Sequence, residues 1–113
     1  MSIIHIKDQA GFDKEVLQAK NPVLVDFYAD WCPPCRALGK VFEQLIQESN
    51  GWNIVKLNCD DAGVKSIAQS HSVSGIPAVF FYNQGKLDAA HSFTGFDQGK
   101  LQKAIDHATS LAK

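Results

Sequence analysis

The sequence predicts an α/β fold: one mixed central sheet of five strands, flanked by four helices. Two observations carry that prediction. Apolar, β-rich runs at 3–6, 23–29, 54–57, 77–82 and 87–93 alternate with stretches whose apolar residues recur every three or four positions. The last two runs are joined only by Asn83-Gln84-Gly85-Lys86, a hairpin turn. The early crossovers are therefore parallel and right-handed, and the hairpin adds an antiparallel edge. The order is β-α-β-α-β-α-β-β-α, with helices on both faces of the sheet.

Each element has its own local reason. Ile3 to Ile6 is a short strand. Asp8 caps a helix running to about Ala19, with Phe12, Val16 and Leu17 on one face. Asn21-Pro22 breaks that helix. Val23 to Ala29 lacks polar alternation, so it reads as a strand buried on both faces. Asp30 to Cys35 leads into a long helix whose stripe is Leu38, Val41, Phe42, Leu45 and Ile46. Asn50-Gly51 ends it. Ile54 to Leu57 is a strand and Ala62 to about His71 a short helix. Pro77 to Tyr82 and Leu87 to Phe93 form the hairpin. Asp97 caps a last helix, in which Leu101, Ile105, Ala108 and Leu111 or Ala112 face inward.

Size and composition narrow the function. With 113 residues there is room for one domain, taken as 1–113. Apolar residues make up 45% and charged residues 20%, an ordinary balance for a globular protein. A net charge of −1 gives no support for nucleic acid as a partner, because a phosphate backbone calls for a basic patch. No run of 18 apolar residues exists to span a membrane. Met1 to Asp8 has no basic start followed by an apolar stretch, so a cytoplasmic location is expected. Three cysteines, Cys32, Cys35 and Cys59, are an odd number, which argues against a disulfide framework. In a reducing compartment a close pair is catalytic or metal-binding more often than structural.

Trp31-Cys32-Pro33-Pro34-Cys35 carries the chemistry. At the start of a helix, free N–H groups and the helix dipole favour an anion. That placement lowers a thiol pKa, and the thiolate is the nucleophile. Cys35, one turn further on, is positioned to attack the resulting mixed disulfide and release product. Half of a zinc site is the competing reading, but it needs further ligands. His5, His71, His91 and His107 stand singly in the sequence, and Cys59 has no near partner. No metal is expected. A purely structural disulfide is the other alternative.

Asp26 is notable on physical grounds alone. Inside Val23-Leu24-Val25 and before Phe27, burial raises its pKa, and an unpaired buried charge is expensive. Cys35 returns close above that strand, which puts Asp26 in place to take its proton, directly or through a water. A plain hydrogen bond to nearby backbone is the alternative.

Val25-Asp26-Phe27-Tyr28-Ala29-Asp30-Trp31-Cys32-Pro33-Pro34-Cys35 resembles the thioredoxin family. So do Lys56-Leu57-Asn58, Gly75-Ile76-Pro77, Asn83-Gln84-Gly85 and Thr94-Gly95, and the similarity runs over essentially the whole chain. The resemblance implies the thioredoxin fold and reduction of protein disulfides. It implies no bound cofactor beyond the redox-active cysteines. Electrons would come from NADPH through a flavin-dependent thioredoxin reductase, and a monomer is expected. It also implies a proton-accepting role for Asp26, with Lys56 on the neighbouring strand as its charge partner. For Lys56 the alternative is a stem packed on the sheet with its head in water.

By the same resemblance, Pro77 has a cis peptide bond and abuts the sulfurs, and Ile76 offers its backbone to an extended substrate segment. Gly75, Pro34 and Gly95 belong to the docking groove, with Gly95 allowing close backbone approach. An ordinary turn glycine is the alternative there, and a proline that merely begins a strand is the alternative for Pro77. Trp31 is read as part of the docking surface, against a core role. Cys59 is read as a passive semi-buried residue, against a regulatory oxidation site.

The sequence also departs from the family pattern. Pro33 stands where thioredoxins usually have glycine. It removes an N–H near the Cys32 sulfur and stiffens the backbone. The lost hydrogen bond disfavours the reduced state, whereas the stiffening acts on whichever state the geometry pre-sets. Pro33 is thus a modulating position. The long helix lacks the family's kinking proline, with Gly39 the site of any milder bend. The stretch from Gly85 to Gly95 is longer than expected, which predicts a bulged edge hairpin. Two other functions remain open on sequence alone: a disulfide oxidase or isomerase on the same fold, and a non-catalytic docking subunit.

Overall fold

Alternation of buried strand and amphipathic helix produces the layered arrangement expected. A computed structural model describes residues 2–49 and 51–112. Its strands are β1 (Ile3–Ile6), β2 (Val23–Tyr28), β3 (Asn53–Asn58), β4 (Ala78–Asn83) and β5 (Lys86–Thr94). They form one sheet in the order β1-β3-β2-β4-β5. β3 is parallel to β1 and β2, β4 is antiparallel to β2, and β5 is antiparallel to β4. β2 is central, and Val23 to Phe27 are all buried, because helices cover both faces of this strand.

Two cores lie on opposite faces. Val23, Val25 and Phe27 point to the first, where they pack with Phe12, Val16, Val64 and Ile67. Leu24 points to the second, with Leu38 and Phe42 of α2 (Pro33–Glu48) and Leu101, Ala104 and Ile105 of α4 (Gln98–Leu111). Since side chains alternate along a strand, Asp26 belongs to the α2 face. This parity brings it beneath the helix that carries Cys35.

The helices differ from expectation in detail. The first begins as α1 (Gln9–Phe12), capped by Asp8, whose side chain accepts the Gly11 N–H at 2.9 Å. From Asp13 to Leu17 it widens into π-helical turns, closed by Gln18 N–H to Asp13 O at 2.9 Å. A wider turn shifts the positions sharing a face, so Leu17 is exposed rather than part of the stripe. The 62–71 helix is a 3₁₀ turn, Ala62–Val64, followed by α3 (Lys65–Ser70). α2 runs unbroken through Gly39 to Glu48, and Ser49 follows it. Asn50, read as part of its end signal, lies outside the described residues. Asp97 caps α4 through the Lys100 N–H at 3.0 Å. At its end Ala112 packs inward while Leu111 is exposed. No helix among the described residues is long and apolar enough to cross a membrane.

The hairpin turns at Gln84 and Gly85, both with positive φ, as a tight two-residue turn requires. Beyond it the expected bulge is present. Val79 pairs with Phe93 and Phe81 with Asp88, so β5 spends five steps where β4 spends two. Side chains close the gap: Phe81 N–H donates to Ser92 Oγ at 3.0 Å, and that hydroxyl donates to Asp88 O at 2.8 Å.

Candidate active site

The site sits where β2 ends and α2 begins. Cys32 is the residue capping α2, and its Sγ accepts the Cys35 N–H at 3.3 Å. Pro33 and Pro34 occupy the first two helical positions and have no N–H to offer. The Cys35 amide is therefore the first helix donor available to this sulfur. Cys32 and Cys35 are joined as a disulfide, with Cα atoms 5.2 Å apart, within the normal span. Both are buried, in a small cluster with Ala29, Tyr28 and Ile76.

The Ile76-Pro77 peptide bond is cis, as the resemblance implied. Ile76 O lies 3.8 Å from Cys32 Sγ, so the loop before β4 abuts the disulfide. Gly95 has φ +83° and donates its N–H to Pro77 O at 2.7 Å. Gly75 faces Thr94, whose methyl would stand 3.6 Å from an added Cβ. Ile76 thus borders the sulfurs, and Gly75, Pro77 and Gly95 continue the backbone on either side of it through the Thr94 and Pro77 contacts. Pro34 and Pro33 are exposed on the helix end.

Trp31 is 67% exposed, which excludes the core reading. Its Nε1–H donates to Asp60 Oδ2 at 3.0 Å, and Asp60 N–H in turn donates to Asn58 Oδ1 at 2.9 Å. An exposed indole held by one polar tether presents a fixed apolar face. Asp60 was not singled out from sequence; the pair is 29 residues apart, with no local signal linking them. Arg36 likewise ties the loop, donating to Asp30 O at 2.9 Å.

Asp26 is fully buried, and neither carboxylate oxygen has a hydrogen-bonding partner among the described residues. Burial pushes its pKa from 3.8 up to about 7, with the Lys56 charge opposing. The alternative of a backbone hydrogen bond is not what the structure shows. Lys56 pairs in register with Asp26 across β2 and β3, but its ammonium lies 4.2 Å over the Tyr28 ring. It is a cation–π neighbour that acts on Asp26 through space rather than by contact. A cavity of about 240 Å³ is lined by Cys35, Gly39, Lys56 and Tyr28, among others. It opens to solvent, so water can reach its Cys35 wall. Gly39 is buried in α2, and Lys56 Nζ stands 3.3 Å from where its Cβ would be. A bulkier residue there would crowd that lysine.

Cys59 is half-buried. Burial first, then the charges of Asp60 and Asp26, push its thiol pKa up, which favours the passive reading.

Fold and site together define a dithiol–disulfide exchange protein: a helix-capping cysteine bonded to the cysteine one turn on, with peptide backbone alongside. The comparisons specify further. The family model described as Thioredoxin matches residues 2–107. A Mycoplasmoides gallisepticum thioredoxin is 39% identical over 83 residues, covering 74% of this chain and 80% of the relative. Thioredoxin C-2 of Corynebacterium nephridii is 36% identical over 109 residues, covering 93% and 94%. The crystal structure of Malassezia sympodialis thioredoxin superposes with a TM-score of 0.81 at 27% identity, over 96% of this chain and 95% of that one. The chain belongs to the thioredoxin family, and its activity is thiol–disulfide exchange of the protein-disulfide reductase type.

Proposed function

We propose that this protein reduces disulfides of other proteins through Cys32 as attacking thiolate and Cys35 as resolving thiol. One observation carries the assignment of roles: Cys32 caps α2 and receives the Cys35 N–H, whereas Cys35 lines the cavity it shares with Lys56 and Tyr28. The helix end stabilises an anion on Cys32. In the first half-reaction, the Cys32 thiolate attacks one sulfur of the substrate disulfide, and the other substrate sulfur leaves as a thiolate. In the second, Cys35 loses its proton and attacks the Cys32 sulfur. The substrate's second sulfur leaves, and the Cys32–Cys35 disulfide remains.

Asp26 takes the Cys35 proton in this scheme, directly or relayed by a water. A carboxyl raised to about 7 exchanges protons readily near neutrality. Lys56 tunes Asp26 by its charge. Trp31, Pro34, Gly75, Ile76, Pro77 and Gly95 form the substrate surface, with the Ile76 backbone open to a strand-like segment. Pro33 sets the donor count at Cys32. Family membership implies disulfide substrates and a reductase partner. The specific donor we propose is a flavin-dependent thioredoxin reductase using NADPH, with no cofactor held by this chain. Residues 1–113 act as one domain and one monomer, in the cytoplasm, where a dithiol is kept reduced.

Insulin reduction by dithiothreitol tests the reading. Wild type is expected to accelerate it, and Cys32→Ser to abolish the acceleration. Full activity in Cys32→Ser, or no activity in wild type, would overturn it.

A further inference from the structure

The bulge in β5 brings together residues that are apart in sequence. His91, in the bulge, and His107, on α4, stack their rings face to face, with centroids 3.9 Å apart and planes 7° from parallel. Both reach one carboxylate: His91 Nδ1 is 2.7 Å and His107 Nε2 3.5 Å from Asp88 Oδ2. The three donor atoms lie within 4.8 Å of one another. Each side chain is about one-third exposed, so solvent reaches the cluster. Asp88 is also fixed from below, since its Oδ1 accepts the His91 N–H at 3.3 Å. The histidines were read singly from the sequence, and no metal was expected on that ground; the fold removes the ground.

We propose that Asp88, His91 and His107 bind a divalent transition-metal ion with the preferences of zinc. Two imidazoles and a carboxylate are the nitrogen–oxygen set that zinc accepts in three-ligand sites completed by water. The spacing fits. Two donors about 2.0–2.2 Å from zinc stand roughly 3–3.5 Å apart across ordinary coordination angles. The observed separations from Asp88, 2.7 and 3.5 Å, bracket that range, so small side-chain shifts admit the ion. Zinc would take the place of the proton that His91 Nδ1 shares with Asp88 Oδ2 at 2.7 Å, with His107 Nε2, 3.5 Å from the same oxygen, as the second nitrogen ligand. A cation between them satisfies all three groups at once. Calcium and magnesium, which prefer oxygen ligands, fit this set poorly.

The site joins β5 to α4, so an ion there clamps the bulge to the helix. It lies beyond Phe81, toward the hairpin turn and away from the Pro77 end of β4. Lys100 and Lys103 line the cavity beside His91. Their opposing charge keeps affinity below that of a closed four-ligand zinc site.

The test uses the full chain, oxidised so that Cys32 and Cys35 are bonded, in a Cys59→Ser background that leaves no thiol ligand. Zn²⁺ is titrated calorimetrically at neutral pH, with histidine ring protons followed by NMR. The expected result is one ion per chain, with shifts at His91 and His107 but not at His5 or His71. Zn²⁺ is also expected to raise the thermal midpoint. His107→Gln and Asp88→Asn should each weaken binding more than about tenfold. Both sites are partly exposed, and circular dichroism without metal confirms that each variant folds. No binding, binding unchanged in both variants, or shifts confined to His5 and His71 would overturn the proposal. A cluster that only hydrogen-bonds gives stability changes that Zn²⁺ does not alter, which would overturn it as well.

Discussion

Asp26→Ala should make the oxidised protein more stable at neutral and alkaline pH. The wild-type carboxyl is buried without a hydrogen-bonding partner, and its pKa rises from 3.8 to about 7. Between those values the unfolded chain has released its proton while the folded chain still holds it. Stability therefore falls as pH rises through this window and levels off above about 7. At 1.36 kcal/mol per pH unit, the loss is about 4 kcal/mol. Truncation to alanine returns part of that gain as a small cavity, about 1 kcal/mol. The net expectation is a variant more stable by about 3 kcal/mol above neutrality, and no more stable than wild type near pH ~4. Urea unfolding of both proteins across pH measures this directly. A pH-independent difference, or a variant less stable than wild type in alkali, would refute the assignment of a burial-raised carboxyl.

Other substitutions probe the remaining parts. Cys35→Ser should trap substrates as stable mixed disulfides on Cys32, visible on non-reducing gels; Cys32→Ser should trap none. Trp31→Ala should lower kcat/KM for insulin several-fold, because it removes an exposed docking face, while thermal unfolding moves little. Pro33→Gly restores an N–H near the Cys32 sulfur, which should lower the thiol pKa and raise its alkylation rate at neutral pH. A hydrogen bond worth ~1 kcal/mol also moves the redox potential by only ~20 mV, which a glutathione-buffer equilibrium resolves. A slower alkylation in Pro33→Gly would contradict the donor count given for the helix end.

The elements legible in the sequence were those whose pattern is local. Val23 to Phe27 reads as a doubly buried strand because no polar residue except Asp26 interrupts it, and that exception is the informative residue. Leu38 and Phe42 reveal the α2 stripe, and the prolines with Cys32 and Cys35 mark its start. What the sequence hid depends on choices made at a distance or between near-equal options. The π-helical turns at 13–17 rest on one hydrogen-bond register over another, which apolar spacing does not report, so Leu17 was misplaced. The Trp31–Asp60 tether crosses 29 residues. The family resemblance, not any local pattern, set Lys56 beside Asp26; the register of β2 and β3 pairs the two, and the preference of Lys56 for the Tyr28 ring had no signal in the sequence. The long Gly85–Gly95 stretch signalled a bulge, yet only the packing of α4 on β5 shows that it joins His91 to His107.

The titration of Cys32 in the reduced protein examines the central claim most closely. Alkylation rates followed across pH, with mass spectrometry locating the label, report how acidic that thiol is. The account predicts labelling at Cys32 with an apparent pKa below the ~8.5 of a free cysteine. Labelling first at Cys35, or a Cys32 pKa at or above the free value, would contradict it.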